Sequence, residues 1–310
     1  MPELPEVETI KRGLSNFCIQ KMINRVEVRC QKSFIGPKEA IEGRRIISFR
    51  RFGKALIVDL SDGISMMIHL RMTGQLIYRA SGYEAGMDIE KSERKGVVSN
   101  FRTEYKHTFA AGHPNDNFFA KLPNKQTRVF FEMDGGVLYF NDQRKFGFIK
   151  VLPTAEVEED DFIKKLAPEP WSISTKRLYE TFQKRKNSPI KAVILDQKVI
   201  AGIGNIYADE ALFDAKIHPK RLAGSLSEEE VVKLVEGACK VMEASINSGG
   251  STMATYVRAD GTKGDYLEKF AQVFRNEGKP CPRCGAEIKK IRVAGRGTHV
   301  CPCCQRLEMR

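Results

Sequence analysis

The sequence has no apolar run approaching the ~20 residues that a helix needs to cross a bilayer, so no membrane span is expected. Its charged opening segment also lacks the apolar core of a secretory signal, which makes the cytoplasm the expected compartment. No internal repeat or heptad array is present, which excludes solenoids and coiled coils. Disulfides are not expected either, because a reducing compartment keeps thiols free. Of the 8 cysteines, five crowd into the last 30 residues while Cys18, Cys30 and Cys239 lie scattered. The cluster asks for a metal; the scattered three do not. Acidic charge is also short, with 39 Asp and Glu against 51 Lys and Arg, a formal net charge of +12 and a pI near 9.3. Such a balance points to a polyanionic partner, although a basic soluble surface has the same composition. The chain is 42% hydrophobic and 29% charged over 310 residues, which rules out a disordered or fibrous protein and suffices for two domains with substantial cores.

Short β-rich runs, broken by turn residues, fill the chain from about residue 22 to 151: 45–51, 55–60, 66–70, 75–78, 128–133, 137–141 and 146–151. Ser61-Asp62-Gly63 and Asp134-Gly135-Gly136 read as hairpin turns. So many strands without intervening helices predict a β-sandwich or barrel-like N-terminal domain. Between Ala80 and Lys121 the periodicity collapses into Gly, Ser, Asn and mixed charge, and a long surface insertion is expected there. After Pro153 the chain turns helical. Ser188-Pro189 supplies a cap and a first-turn proline for a helix through about Asp196, and Ala201-Gly202-Ile203-Gly204 makes a tight connection into a helix from Asn205 to Phe213. Ser227 to Glu230 forms a capping box ahead of a long amphipathic helix stopped by Gly249-Gly250. The expected class is α+β and multidomain. An N-terminal β-sandwich with an N-terminal helix spans 1–153, including the insertion at about 80–121; a helical domain spans 154–271, and a cysteine finger 272–310.

Cys281-Pro282-Arg283-Cys284, followed after 16 residues by Cys301-Pro302-Cys303-Cys304, is the strongest spacing signal. Cys281, Cys284, Cys301 and Cys304 offer one structural Zn²⁺ a tetrahedron of thiolates, and Cys303 falls outside the two-residue gap. Between the knuckles, basic and apolar residues alternate from Lys289 to His299, which suits a hairpin with one cationic face. Arg296, flanked by glycines, could reach a DNA groove or stand in a solvated basic loop. In Ile203-Gly204-Asn205-Ile206 a glycine beside a helix start lets backbone donors approach a phosphate, with Asn205 available to contact it; packing is the other use of such glycines. Lys186 and Lys191 sit just upstream. His69 to Gly74 puts Met72 near a loop tip, and Asn141 to Gly147 offers Arg144 and Phe146 two positions apart; these are core or loop packing, or probes of a base stack.

The start of the chain carries a different chemistry. If Met1 is trimmed, Pro2 becomes a terminal secondary amine, titrating near ~8 rather than about two units higher like a lysine, and able to attack a sugar C1′. Pro5, Glu6 and Glu8 suit the first turn of a helix whose Val7, Ile10, Leu14 and Phe17 share one face. Taken alone, Met-Pro-Glu is also an ordinary beginning.

Together these residues resemble the formamidopyrimidine-DNA glycosylase family, the bacterial 8-oxoguanine repair enzymes. The likeness runs through Pro2-Glu3-Leu4-Pro5-Glu6-Val7-Glu8, the Lys54 strand, His69 to Gly74, Arg144 to Gly147, Gly204-Asn205-Ile206-Tyr207 and the four-cysteine finger. The related endonuclease VIII group begins with glycine where this chain has Leu4, which favours the damaged-purine branch. The resemblance implies a bifunctional glycosylase and AP lyase acting on double-stranded DNA with oxidised bases or abasic sites, as a monomer of bacterial type working at the nucleoid. It implies Pro2 as nucleophile through a Schiff base, Glu3 as acid and base, Lys54 as an aid to β-elimination, and Arg296 as a phosphate contact supporting the second elimination. Met72, Arg144 and Phe146 would fill the gap left by the flipped nucleotide, with Arg144 facing the orphan cytosine. Lys186, Lys191 and Asn205 would hold phosphates, the helices would form a helix-two-turn-helix, and the stretch from Ser248 to Gly264 matches the region that closes over the lesion. Three departures stand out. Gln143 replaces a usual proline and Lys145 a usual arginine, and Lys125-Gln126 replaces a lysine-histidine pair, which gives Gln126 the place of a DNA contact. The competing readings are an endonuclease VIII-like enzyme for oxidised pyrimidines and a catalytically silent protein that binds damaged DNA.

Overall fold

The computed structural model describes residues 2–82, 108–113, 120–250 and 266–307. Most of the expected insertion, and the glycine-rich stretch from 251 onward, lie outside the described residues, as does Met1. Chain contacts divide the protein into two compact units: Pro2 with Glu6–Ile163 and Gly249–Gly250 in one, Glu3–Pro5 with Lys164–Ser248 and the part from Tyr266 onward in the other.

The first unit is a β-sandwich. One five-stranded sheet runs β1 (Ile23–Val28), β8 (Thr127–Met133), β9 (Gly136–Asp142), β6 (Gly74–Ala80), β7 (Thr108–Gly112). The other runs β2 (Phe34–Ile35), β10 (Phe148–Pro153), β5 (Ile64–His69), β4 (Ala55–Leu60), β3 (Ile46–Phe52). All pairings are antiparallel except β2 with β10. The inner faces meet in one core: Leu56, Val58 and Ile68 from one sheet, Leu76, Phe131 and Phe140 from the other. Helix α1 (Leu4–Cys18) seats Val7, Ile10, Leu14 and Cys18 in that core. Asp62 (φ 57°) and Gly63 (φ 71°) are both left-handed between β4 and β5, the backbone of a tight hairpin turn.

Two features depart from the sequence reading. Thr108–Gly112 lies inside the stretch expected to be irregular, yet it is a strand paired with β6, and its Phe109 and Ala111 are buried. Five residues with only two core side chains give too short a period to stand out from the surrounding polar run. The edge strands β1 and β2 were also not expected; β2 is only two residues long.

The second unit holds α2 (Thr175–Lys184), α3 (Ile190–Ile194), α4 (Asn205–Asp214), α5 (Glu228–Asn247) and the hairpin β11 (Lys289–Val293)–β12 (Arg296–Val300). Its core gathers Leu4, Phe182, Ile194, Tyr207, Leu212, Leu234 and Met242. The capping box on α5 is complete: the Glu230 amide donates to Ser227 Oγ at 3.2 Å and the Ser227 amide to Glu230 Oε2 at 2.9 Å. The start of α3 differs from expectation. Pro189 is the capping residue itself, held extended (ψ 134°) by a bridge to Leu222, so the helix begins one residue later and has no side-chain cap. A satellite core of Phe213, Val273, Cys281, Ile288 and Cys301 joins α4 to the cysteine hairpin. Among the described residues, no helix is long and apolar enough to cross a membrane.

Candidate functional site

In the first unit, Pro2 and Lys54 are both buried. Lys54 sits in the turn between β3 and β4, where Gly53 is left-handed (φ 54°) and its carbonyl accepts from Arg51 Nη1 at 3.0 Å. Arg51 in turn donates to Glu8 of α1 at 3.1 Å, so the strand end is tied to the helix. Burial pushes the Glu8 carboxyl upward, but Lys11, Arg51 and Arg12 outweigh it and hold the group below its ordinary value. At the end of β5, His69 accepts from the Arg71 amide through Nδ1 at 3.0 Å and stacks on Phe148. Burial, reinforced by the positive charges of Arg71 and Lys54, pulls the His69 pKa down to about 3, so the ring is neutral with its proton on Nε2.

Two neighbouring loops of this unit carry the expected probes. Met72 (41% exposed) and Phe146 (56% exposed) project into solvent, and the Arg144 guanidinium lies 4.9 Å from the centre of the Phe146 ring. Gln126 is half-buried beside the same loops, its carbonyl accepting from the Asp142 amide at 2.9 Å.

In the second unit, Glu3 is buried at the N-terminus of α4. Its Oε1 accepts from the Ile206 amide at 3.0 Å and Oε2 from the Tyr207 amide at 3.5 Å. This corrects the reading of Gly204 as an opening for a phosphate: the donors at the helix start are taken by a carboxylate of the chain itself. A Cβ on Gly204 would stand 2.2 Å from Glu3 Cδ, so glycine is needed there for Glu3 to approach. Asn205 turns Nδ2 to the Gly297 carbonyl at 3.1 Å, while its Oδ1 is buried with no partner.

Lys191 also departs from its expected role. It is completely buried, with Nζ 2.5 Å from Asp209 Oδ1, 2.8 Å from Thr298 Oγ1 and 3.3 Å from the Gly297 carbonyl. An ammonium enclosed in that way holds β12 against α4 and has no face left for a backbone phosphate. Burial draws its pKa below the ordinary lysine value against the pull of Asp209. Lys186, by contrast, is exposed. Arg296 is exposed too, on a hairpin whose turn, Ala294 (φ 47°) and Gly295 (φ 78°), is left-handed at both positions.

Asp209 and Glu210 were not anticipated. Asp209 also accepts from the His299 amide at 2.9 Å, and Glu210 accepts from the amides of Gln272, Val273 and Phe274 at 2.8–3.0 Å. Burial raises the Glu210 pKa despite those three donors. The signal was present: adjacent acids interrupt an otherwise apolar stretch from Tyr207 to Phe213, where an unpaired charge would be prohibitive.

Cys281, Cys284, Cys301 and Cys304 bring their Sγ atoms within 4.8 Å of one another, with Cys281–Cys304 at 3.9 Å and Cys284–Cys301 at 3.5 Å. A tetrahedral Zn²⁺ with bonds of about 2.3 Å needs sulfur separations of about 3.8 Å, so the four thiols fit that ion. Exposed Cys303 is not part of the set.

Three family models match the chain: the formamidopyrimidine-DNA glycosylase N-terminal domain over 1–149, the formamidopyrimidine-DNA glycosylase H2TH domain over 166–257, and a zinc finger found in FPG and IleRS over 278–307. Proteins named formamidopyrimidine-DNA glycosylase from Desulfitobacterium hafniense and Listeria innocua are 36% and 38% identical, over 98% and 99% of this chain and 100% of each relative. The Lactococcus lactis Fpg bound to abasic-site DNA is 30% identical with a TM-score of 0.80, covering 99% of this chain and 100% of that one. A mutant of the Lactococcus protein in complex with Fapy-dG DNA matches equally well, at 30% identity and a TM-score of 0.80 over the same shares.

Proposed function

Because the chain belongs to the formamidopyrimidine-DNA glycosylase family, we propose that it removes oxidised purines, 8-oxoguanine and formamidopyrimidines, from double-stranded DNA and then cleaves the emptied strand. After loss of Met1, the Pro2 nitrogen attacks C1′ of the flipped nucleotide. The C1′–N bond breaks, the base leaves with a proton, and the sugar opens to an iminium on Pro2. Glu3 moves protons at the sugar. Removal of a C2′ proton expels the 3′ phosphate with help from Lys54, and a second elimination, supported by Arg296, expels the 5′ phosphate. Water then releases Pro2. Met72, Arg144 and Phe146 occupy the vacated stack, while Gln126, Lys186 and Asn205 hold the backbone. The zinc is structural and supports the hairpin that carries Arg296. The family likeness supports a bacterial cytoplasm as its compartment and a monomer as its working state.

The observation that carries this reading is the seating of Glu3 on the α4 amides: the residue next in the chain to Pro2 is a carboxylate anchored by its own hydrogen bonds. The polar groups of a reacting sugar need such a preset partner. Borohydride trapping on an 8-oxoguanine duplex, followed by peptide mapping, is the test. An adduct on Pro2 is expected; an adduct on Lys54 would overturn the assignment. Parallel cleavage of a thymine glycol duplex separates the purine preference from the pyrimidine one.

A further inference from the structure

Both exposed probes of the first unit hang from one buried carboxylate. Asp142 ends β9 and is fully buried. Its Oδ1 accepts from the Thr73 hydroxyl and, at 3.1 Å, from the Arg144 amide; its Oδ2 accepts from the Gly147 amide at 2.7 Å. The Arg144 amide is shared with Thr73 Oγ1, also at 3.1 Å. One side chain therefore binds the residue after Met72, Arg144 itself, and the residue after Phe146. The strand end is in turn fixed by Arg128, which donates to the Asp142 carbonyl at 2.6 Å.

The backbone on both sides is bent in a way that needs such an anchor. Arg71 (φ 50°) and Lys145 (φ 59°) are left-handed without being glycine, a conformation that persists only where surrounding contacts dictate it. Gly147 is packed closely enough that a Cβ would stand 2.8 Å from Phe140 Cζ and 3.2 Å from Asp142 Oδ2. The tip of Phe146 meets the Arg144 guanidinium, which rides on the same loop and so does not fix that loop in place. What the structure fixes is the backbone beneath them.

We propose that Asp142 is a positioning residue that locks the Met72 loop and the Arg144–Phe146 loop together, so that both enter the vacated stack as one preset piece. A loop ordered before contact loses less conformational entropy on binding, and that saving offsets the unstacking of the extruded base. The inference rests on the proposed glycosylase reading. It adds a group that touches no DNA but decides how cheaply the base is extruded.

Asp142→Asn keeps size and one acceptor but turns an NH₂ toward the Gly147 amide. Single-turnover excision is compared on a duplex with the lesion paired to cytosine and on the same duplex with the lesion in a short bubble, where extrusion is already under way. The variant should lose about tenfold on the paired duplex, the equivalent of one buried hydrogen bond, and less than about threefold on the bubble. Thr73→Val should shift the ratio the same way, and Thr73→Ser should restore it; these carry the test should Asp142→Asn fail to fold. Equal losses on both substrates, or none on either, overturn the proposal. A wild-type protein inactive on both substrates overturns the glycosylase reading instead.

Discussion

Glu3 rests directly on Gly204, its carboxylate bonded to the amides that follow that glycine, across 203 residues of chain from Glu3 to Ile206. Gly204→Ala puts a methyl group 2.2 Å from the Glu3 carboxyl carbon, so either Glu3 leaves the helix start or the first turn of α4 shifts. The expected outcome is a loss of base excision of about hundredfold, the scale of a misplaced catalytic group, with DNA affinity close to wild type. Filter binding and single-turnover kinetics on the same preparation measure the two. Wild-type excision by the variant would show that the seat of Glu3 is irrelevant to the chemistry.

Lys191 and Lys186 should separate cleanly. Lys191→Met leaves Asp209 buried and short of its cation, which typically costs about 3–5 kcal/mol. The denaturant midpoint should fall, while the dependence of DNA affinity on salt keeps its slope. Lys186→Gln should leave the midpoint unchanged and reduce the log–log salt slope by about 0.9, the value for one phosphate contact. A reduced slope in a folded Lys191→Met protein would return that lysine to the DNA surface.

How far the sequence discloses this site follows the range of the interaction involved. The zinc ligands are legible because two knuckles have a fixed spacing, and the Ser227–Glu230 box because both partners lie within one turn. The sandwich is legible because runs such as Ala55–Leu60 are apolar save for Asp59 and bounded by turn residues. The use of Gly204 is not, since a glycine before a helix offers its amides to any anion and nothing local says that the anion is Glu3. Lys191 misled for the same reason: a lysine near basic neighbours reads as a surface cation until Asp209, 18 residues on, is seen to enclose it. β7 was hidden by its length and by the polar run on either side.

Cys303 provides a test of the metal set. It is adjacent to one ligand, Cys304, and two positions from another, Cys301, yet outside the group whose sulfurs converge, so Cys303→Ser should retain one zinc per chain and full DNA affinity. Cys304→Ser should lose the metal and, with it, the hairpin bearing Arg296, because a structural zinc and its local fold form together. Metal analysis and DNA binding of both variants check this. Zinc retained at full occupancy by Cys304→Ser would mean that Cys303 can take its place.

His69 should leave a mark on stability against pH. Its folded pKa is about 3 against an ordinary 6.5, so between those values the unfolded chain binds a proton that the folded protein refuses. Stability must therefore fall as pH drops through 6.5, by up to about 1.4 kcal/mol for each unit, and the contribution of His69 to the slope fades within about a unit above it. His113 and His218 are also depressed, first by burial, and act in the same direction. Paired carboxylates such as Glu8 and Asp59 add their losses only as pH falls toward and below the ordinary carboxylate range, whereas buried Glu210, held above that range, acts with the opposite sign; the difference between wild type and a His69 variant isolates the histidine across about pH 7 to about pH 5. His69→Asn puts a non-titrating acceptor near the position of Nδ1 and can still receive the Arg71 amide. Its denaturant midpoint should be lower than wild type at neutral pH through lost packing on Phe148, but decline less steeply across that interval. Parallel curves for the two proteins would mean that His69 is protonated in the folded state, and the neutral ring beneath the Met72 loop would have to be abandoned.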